Sequence, residues 1–303
     1  MQAMAITILD GGMGRELKRS GAPFRQPEWS ALALIEAPET VAAVHRSFIA
    51  AGAQVITTNS YALVPFHIGA ERFAAQGEAL AALAGRMARA AAADRPGVQV
   101  AGSLPPLFGS YRPDLFDPGR AAALLAPLIA GLAPHVDLWL AETLSATAEA
   151  RAVIAALGDD SRPRWFSFTL DDAPGAADQS ARLRSGEPVA AAVAAALEGQ
   201  ARAVLFNCSQ PEVMAAAVRE ARAAIAAAGA ELAVGVYANA FPPQKEEAAA
   251  NEDLLPLRPD LDPPGYLGWA RQWVAEGAGI VGGCCGIGPE HIADLASGLA
   301  SVG

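Results

Sequence analysis

No segment of the sequence is long and apolar enough to suggest a bilayer span. The longest apolar stretch, residues 121–134, falls short of the roughly 20 residues a spanning helix requires, and it contains Pro127. The opening MQAMAITILDGG has no cationic segment followed by a long apolar block, so no secretory signal is expected. Cysteine is scarce, with three in 303 residues; an odd, sparse set is unlike a secreted disulfide framework. Positive charge is also in deficit: 22 Lys and Arg stand against 32 Asp and Glu, a formal net charge of −10. That balance argues against nucleic acid or an anionic membrane as partner and favours a cationic or zwitterionic small molecule. The four histidines, His45, His67, His135 and His291, are scattered and fit no metal-binding spacing. The expectation is a cytoplasmic protein whose cysteines need another explanation.

Apolar residues make up 52% of the chain and the mean hydropathy is +0.24, enough for a sizeable core and too much for general disorder. Alanine dominates segments that read as helices, where it is the best former. Between them lie short apolar or β-branched runs at 6–9, 55–58, 98–101, 138–141, 165–169, 203–206, 232–237 and 279–282. Helical stretches follow at about 40–51, 76–94, 119–132, 147–157, 188–198, 211–228, 265–276 and 290–300. Alternation of this kind implies a parallel sheet with right-handed crossovers. Eight strand-then-helix units in this length predict one α/β domain over 1–303, a (β/α)8 TIM barrel, with a doubly wound open sheet as the structural alternative.

Connections from helix to strand are short, whereas those leaving strands are long: 10–39, 59–75, 102–118, 170–187 and 238–264. In a barrel, these strand-to-helix loops gather at the C-terminal face, where catalytic groups sit. The last is acidic and proline-rich and reads as a loop over the barrel mouth rather than a linker, because a strand and a helix follow it.

All three cysteines lie at predicted strand ends. Cys208 ends the sixth strand; Cys284 and Cys285 end the eighth. Alternate strands of a barrel feed the same side-chain layer, so residues 76 positions apart can converge at one mouth. Neighbouring residues on a regular strand point to opposite faces, but the flanking glycines let the backbone leave strand geometry. Three thiolates at an open mouth suit Zn²⁺ with a fourth position for water or substrate. The competing reading makes Cys208 a small buried hydrophobe and Cys284–Cys285 a redox pair.

The series Asp10-Gly11-Gly12-Met13-Gly14-Arg15-Glu16-Leu17, Thr57-Thr58-Asn59-Ser60-Tyr61, Glu142-Thr143, Asn207-Cys208 and Gly282-Gly283-Cys284-Cys285-Gly286 resembles the homocysteine S-methyltransferase family of zinc-dependent barrel enzymes. The resemblance runs from about Asp10 to Gly286. It implies that Cys208, Cys284 and Cys285 bind Zn²⁺ and that homocysteine sulfur becomes the fourth ligand. It further implies that Asp10 and Glu142 hold the homocysteine ammonium, with the amides near Gly11 and Gly12 close to its backbone. Asn59 and Asn239 join this set as substrate-binding candidates. Turn chemistry is the alternative for Asp10, and a cap or surface charge for Glu142. The chain departs from the family at Tyr237-Ala238-Asn239, where many relatives carry Tyr-Pro-Asn, and at Arg15, where a small or hydroxyl residue is common.

Chemistry then suggests a donor. Only a thiolate is a good sulfur nucleophile, and coordination to Zn²⁺ deprotonates a thiol. An electron-rich site of this kind favours a cationic methyl donor, which an aromatic side chain can hold through cation–π contact. Tyr61, Phe108, Tyr111, Tyr237 and Phe241 fall on loops or strand ends and are the aromatic candidates. The expected reaction is zinc-dependent methyl transfer from a small sulfonium, S-methylmethionine first, to L-homocysteine, forming methionine. The chain stops soon after its eighth helix, which the resemblance sets against betaine as donor. The alternatives are betaine itself, a thiol-side subunit fed by a separate corrinoid protein, and a structural zinc scaffold. A monomer or small homo-oligomer is expected.

Overall fold

The computed structural model describes residues 5–242 and 256–300. Eight parallel strands form one sheet: β1 (Thr7–Ile8), β2 (Val55–Thr57), β3 (Gln99–Leu104), β4 (Leu138–Leu144), β5 (Arg164–Phe168), β6 (Ala203–Asn207), β7 (Ala233–Ala238) and β8 (Ile280–Gly283). Their order, β1-β8-β7-β6-β5-β4-β3-β2, is that of a barrel. Its seam is nearly closed by a single parallel bridge, Leu9 to Val55, flanked by Asp10 N–H to Val55 O (3.1 Å) and Gln54 N–H to Ile8 O (2.8 Å). Every run expected to be a strand is one.

Helices cover the outside. The eight expected from the sequence are α3 (Pro38–Ala50), α5 (Ala70–Ala92), α6 (Pro118–Leu132), α7 (Thr147–Leu157), α8 (Val189–Glu198), α9 (Pro211–Ala227), α10 (Pro263–Ala275) and α11 (Pro289–Leu299). Proline opens five of them, where a missing N–H costs nothing and φ is already helical. Asp117 and Asp262 cap α6 and α10 by accepting from Gly119 N–H and Gly265 N–H, both at 2.9 Å. Between helices and sheet lies the main apolar core, while a smaller cluster fills the barrel interior with Leu9, Val55, Ala101, Leu138, Leu140, Trp165, Ala203, Leu205 and Ile280. Tyr237 and Cys284 close that inner cluster at the mouth.

The structure corrects the reading of two long loops. Segment 10–39 contains two further helices, α1 (Met13–Arg19) and α2 (Ser30–Glu36), and segment 59–75 contains α4 (Pro65–Ile68) and the first turn of α5. The first three are too short to announce themselves by periodicity. Tertiary burial decides them instead, as in α2, where Ser30 to Leu34 are all buried. The loop expected over the mouth falls largely on residues 243–255, outside the described residues. Among the described residues, no helix is long and apolar enough to cross a membrane.

Candidate metal and substrate site

The cysteine sulfurs meet at the mouth. Cys208 follows β6, and Cys284 and Cys285 follow β8; their three sulfur atoms lie within 4.8 Å of one another. Cys208 takes a left-handed backbone (φ 50°), which turns it off the strand line. Backbone hydrogen bonds moor both cysteine segments to the end of β7: Cys208 N–H donates to Tyr237 O at 3.3 Å, and Cys284 N–H to Ala238 O and Ala240 N–H to Cys285 O at 2.9 Å each. The glycines were expected to free this turn, and Gly286 does so with φ 91°. Cys208 and Cys284 are joined as a disulfide while Cys285 is a free thiol. The redox pair weighed from the sequence is therefore not the vicinal one.

The donor set fits zinc in its reduced form. Sulfurs on a tetrahedral Zn²⁺ with bonds near 2.3 Å stand roughly 3.8 Å apart, and three converging thiolates with Cys284 and Cys285 open to a cleft leave room for a fourth ligand. Burial pushes the Cys285 thiol up to about 11, with Arg15 pulling the other way. A thiolate there needs more positive charge than Arg15 supplies.

Two carboxylates share this cleft. Asp10 follows β1 and is buried; its Oδ2 accepts from Thr57 N–H at 2.7 Å and its Oδ1 from the Thr57 hydroxyl at 3.1 Å. Glu142 sits near the end of β4, where Oε1 accepts from the Ser103 hydroxyl at 2.5 Å and Oε2 from the Tyr237 hydroxyl at 3.3 Å. Burial pushes both carboxyls up to about 7, and Glu142 adds its repulsion to Asp10. A pair of buried acids with raised pKa values can take a cation, whose arrival would favour their charged forms.

A bulge aims Glu142. Ala141 pairs with Phe166 and Leu144 with Phe168, so Glu142 and Thr143 together oppose Ser167 alone. Thr143 is left-handed (φ 60°), and the Asn207 amide clamps it: Oδ1 accepts from Thr143 N–H (3.1 Å) and from the Ser167 hydroxyl (2.7 Å), while Nδ2 donates to Thr143 Oγ1 (2.9 Å). Of the five left-handed non-glycine residues among those described, Trp29, Tyr111, Thr143 and Cys208 line the cleft and only Gln200 does not. Backbone strain thus collects at one place.

The glycine pair answers a packing need. A methyl group on Gly11 would run into the Ile287 carbonyl, and one on Gly12 would stand 2.5 Å from the Cys284 carbonyl oxygen. The loop after β1 can lie on the cysteine loop only without side chains there. Gly12 N–H is already engaged, donating to Ile287 O at 2.9 Å.

Asn59 lines the cleft and donates to Ser30 O at 3.1 Å. Asn239 is buried but does not line it; its side chain stands beside Tyr111 instead, and its Oδ1 has no partner among the described residues. Tyr61, Tyr111, Tyr237 and Phe241 line the cleft. Phe108 does not; it packs edge-on against Phe116 at 5.9 Å with Arg120 over its ring. Trp29 was not foreseen as a lining residue, since nothing in its flanking sequence marks the turn that brings it onto Tyr61 at 5.8 Å. Thr57, Ser103 and Asn207 were also not singled out, although Thr57 and Asn207 lie inside the motifs that carried the resemblance.

Comparison with known proteins agrees with this geometry. The profile of the homocysteine S-methyltransferase family matches residues 7–299. A homocysteine S-methyltransferase of Escherichia coli is 32% identical over 96% of this chain and 94% of its own length. The crystal structure of the E. coli homocysteine methyltransferase MmuM in a metallated form superposes with a TM-score of 0.76 at 30% identity, covering 96% of each chain. An oxidized form of MmuM superposes equally well, at 29% identity over 96% of this chain and 95% of that one. The chain belongs to the homocysteine S-methyltransferase family.

Proposed function

We propose that this enzyme transfers a methyl group from a small sulfonium, S-methylmethionine, to the thiol of L-homocysteine, with Zn²⁺ held by Cys208, Cys284 and Cys285. The observation that carries the reading is the convergence of three sulfurs and two buried carboxylates on one cleft. Bound zinc would supply the charge that keeps a substrate thiol deprotonated at neutral pH.

The protein's own groups do the rest. Asp10 and Glu142 take the homocysteine ammonium, which orients its sulfur toward the cysteines. Asn59 lies along the same wall, while Gly11 and Gly12 let the loop after β1 approach the cysteine loop. The aromatic lining of Trp29, Tyr61, Tyr237 and Phe241 excludes water and packs against a cationic methyl group. Asn239 acts behind this wall through Tyr111. The homocysteine thiol loses its proton to solvent on binding. The donor S–CH₃ bond then breaks as the new S–CH₃ bond forms, and the sulfonium leaves as a neutral thioether. No general acid is required, so alignment in a dry site is the main demand on the fold.

The Cys208–Cys284 disulfide is the oxidised state of the same centre, and a dithiol reductant that takes it to two thiols restores the metal-binding set. This reading has the whole chain, 1–303, as one homocysteine-binding domain in the cytoplasm. It acts on small molecules, without nucleic acid or membrane, as a monomer or small homo-oligomer. The test is methionine formation by reduced, zinc-loaded protein from homocysteine with S-methylmethionine, S-adenosylmethionine, betaine or a methylated corrinoid protein as donor. Turnover with a sulfonium alone supports the reading. Turnover only with the corrinoid protein or betaine replaces the donor, and a metal site that homocysteine cannot enter makes the centre structural.

A further inference from the structure

Tyr111 reaches the cleft from the loop between β3 and α6 with a left-handed backbone (φ 64°). A bulky residue stays in that conformation only where its surroundings impose it. Three contacts do so. Arg184, in the loop between β5 and α8, lays its guanidinium 4.6 Å from the centre of the Tyr111 ring. The Asn239 side chain stands beside its hydroxyl. The neighbouring Ser110 hydroxyl shares a 2.6 Å hydrogen bond with that of Tyr61.

Arg184 is itself fixed. Its Nη2 donates to Asp172 Oδ1 at 2.6 Å, with the two side chains only 14% and 3% exposed. The other oxygen of Asp172 accepts from Gln210 N–H at 3.1 Å, two residues beyond Cys208. Gln210 in turn donates through its side chain to Phe241 O at 2.7 Å. One carboxylate therefore ties the segment after Cys208 to the guanidinium stacked on Tyr111. A cation on a wall that faces a cationic substrate would repel it, and the carboxylate 2.6 Å away cancels that charge. A flat guanidinium can stack on a ring while forming such a pair, whereas an ammonium cannot.

We propose that Arg184 and Asp172 are positioning residues for the methyl-donor side of the site: the ion pair holds Tyr111 as an uncharged aromatic wall against which a cationic donor packs. This rests on the methyl-transfer reading above and extends it to two residues that touch neither the cysteines nor the acids of the homocysteine socket.

The experiment uses the full chain with R184M, R184K, D172N and the double variant R184M/D172N. Methionine formation gives kcat and the two KM values. R184M is expected to raise the KM for S-methylmethionine about tenfold, the scale of one aromatic–cation contact, and the KM for homocysteine less than about twofold. R184K, which keeps the charge and loses the stacking plane, recovers only part of the loss. D172N leaves the guanidinium unneutralised and raises the donor KM at least as much as R184M. The double variant returns it to the R184M value. Equal rises in both KM values, or a donor KM in R184M within about twofold of wild type, would overturn the proposal.

A second readout needs no turnover. Reduced, metal-free protein is labelled at its cleft thiols with a quaternary-ammonium methanethiosulfonate and with its neutral hydroxyethyl counterpart. The ratio of cationic to neutral rates should fall in D172N and recover in the double variant; an unchanged ratio refutes the neutralising role. A wild type that uses no donor defeats the methyl-transfer reading, and the labelling ratio still decides the role of the pair.

Discussion

Replacing Glu142 by glutamine should make the metal-free, reduced protein more stable at pH 8 and a poorer binder of homocysteine. Glu142 is buried, and burial pushes its carboxyl from 4.5 up to about 7. A carboxyl with a raised folded-state value keeps its proton longer in the folded chain than in the unfolded one. The folded state then binds more protons between about pH 4.5 and 7, so stability falls as pH rises through that window. At pH 8 the difference of about 2.5 units corresponds to roughly 3 kcal/mol set against folding. Glutamine carries no charge to desolvate; its Oε1 can accept from the Ser103 hydroxyl while its Nε2 donates to the Tyr237 hydroxyl oxygen. For a chain of this size, recovery of that amount is worth about 6 °C in Tm. The gain should shrink toward pH 5, where the glutamate is already protonated.

On the proposed reading the same substitution removes one of two charges that take the substrate ammonium, a charge-assisted contact worth about 1.5–3 kcal/mol, or roughly ten- to hundredfold in homocysteine KM. Donor KM should change much less. Thermal melts at pH 5 and 8 and steady-state kinetics with each substrate varied provide the check. A variant less stable than wild type at pH 8, or one with both KM values raised equally, would show that Glu142 is structural.

Other substitutions follow from the same contacts. C208S should lower zinc content, measured by elemental analysis after reduction and dialysis, and abolish methyl transfer while the far-UV spectrum stays native; retained activity would sink the metal site. G12A should do similar damage from across the seam, since its methyl group would stand 2.5 Å from the Cys284 carbonyl and force the cysteine loop to move; normal zinc content would count against that packing argument. N207A strands a buried Thr143 N–H and frees the bulge behind Glu142. It should cost about 2–4 kcal/mol in chemical denaturation and raise homocysteine KM, and a loss of stability alone would detach the clamp from the site.

The strand-and-helix alternation was legible because each barrel unit repeats a short apolar run followed by an alanine-rich helix, and every expected run lies in the sheet. The three cysteines were legible because strand ends of one parity share a layer. What escaped reading has a common character. α1, α2 and α4 are at most seven residues long and held by burial, which a local pattern does not record. Thr57, Ser103 and Asn207 hold Asp10, Glu142 and the β4 bulge through hydrogen bonds between residues 39 to 64 positions apart. Polar residues of these types are common at strand ends, and nothing along the chain marks which of them will face a carboxylate. Phe108 shows the converse error: a loop aromatic was expected at the mouth and instead packs against its own loop through Phe116.

The placement of strain gives the site its logic. A barrel supplies strand ends but points alternate residues away from the axis, so a regular strand cannot turn both Cys284 and Cys285, or both Glu142 and its neighbour, toward one substrate. The chain breaks regularity where the cleft needs it, with left-handed residues at Cys208, Thr143, Tyr111 and Trp29. At Thr143 the compensation is visible atom by atom in the three hydrogen bonds of Asn207, and at Tyr111 it is the guanidinium of Arg184 over the ring. The buried acids follow the same rule: burial raises both carboxyls to about 7 and sets their charged forms against folding, a cost that a cation bound between them would offset. On the proposed reading ligand binding recovers the stability lost to the buried acids, so removing one of those charges should strengthen the empty fold while weakening the chemistry, whereas removing a clamp such as Asn207 should weaken both.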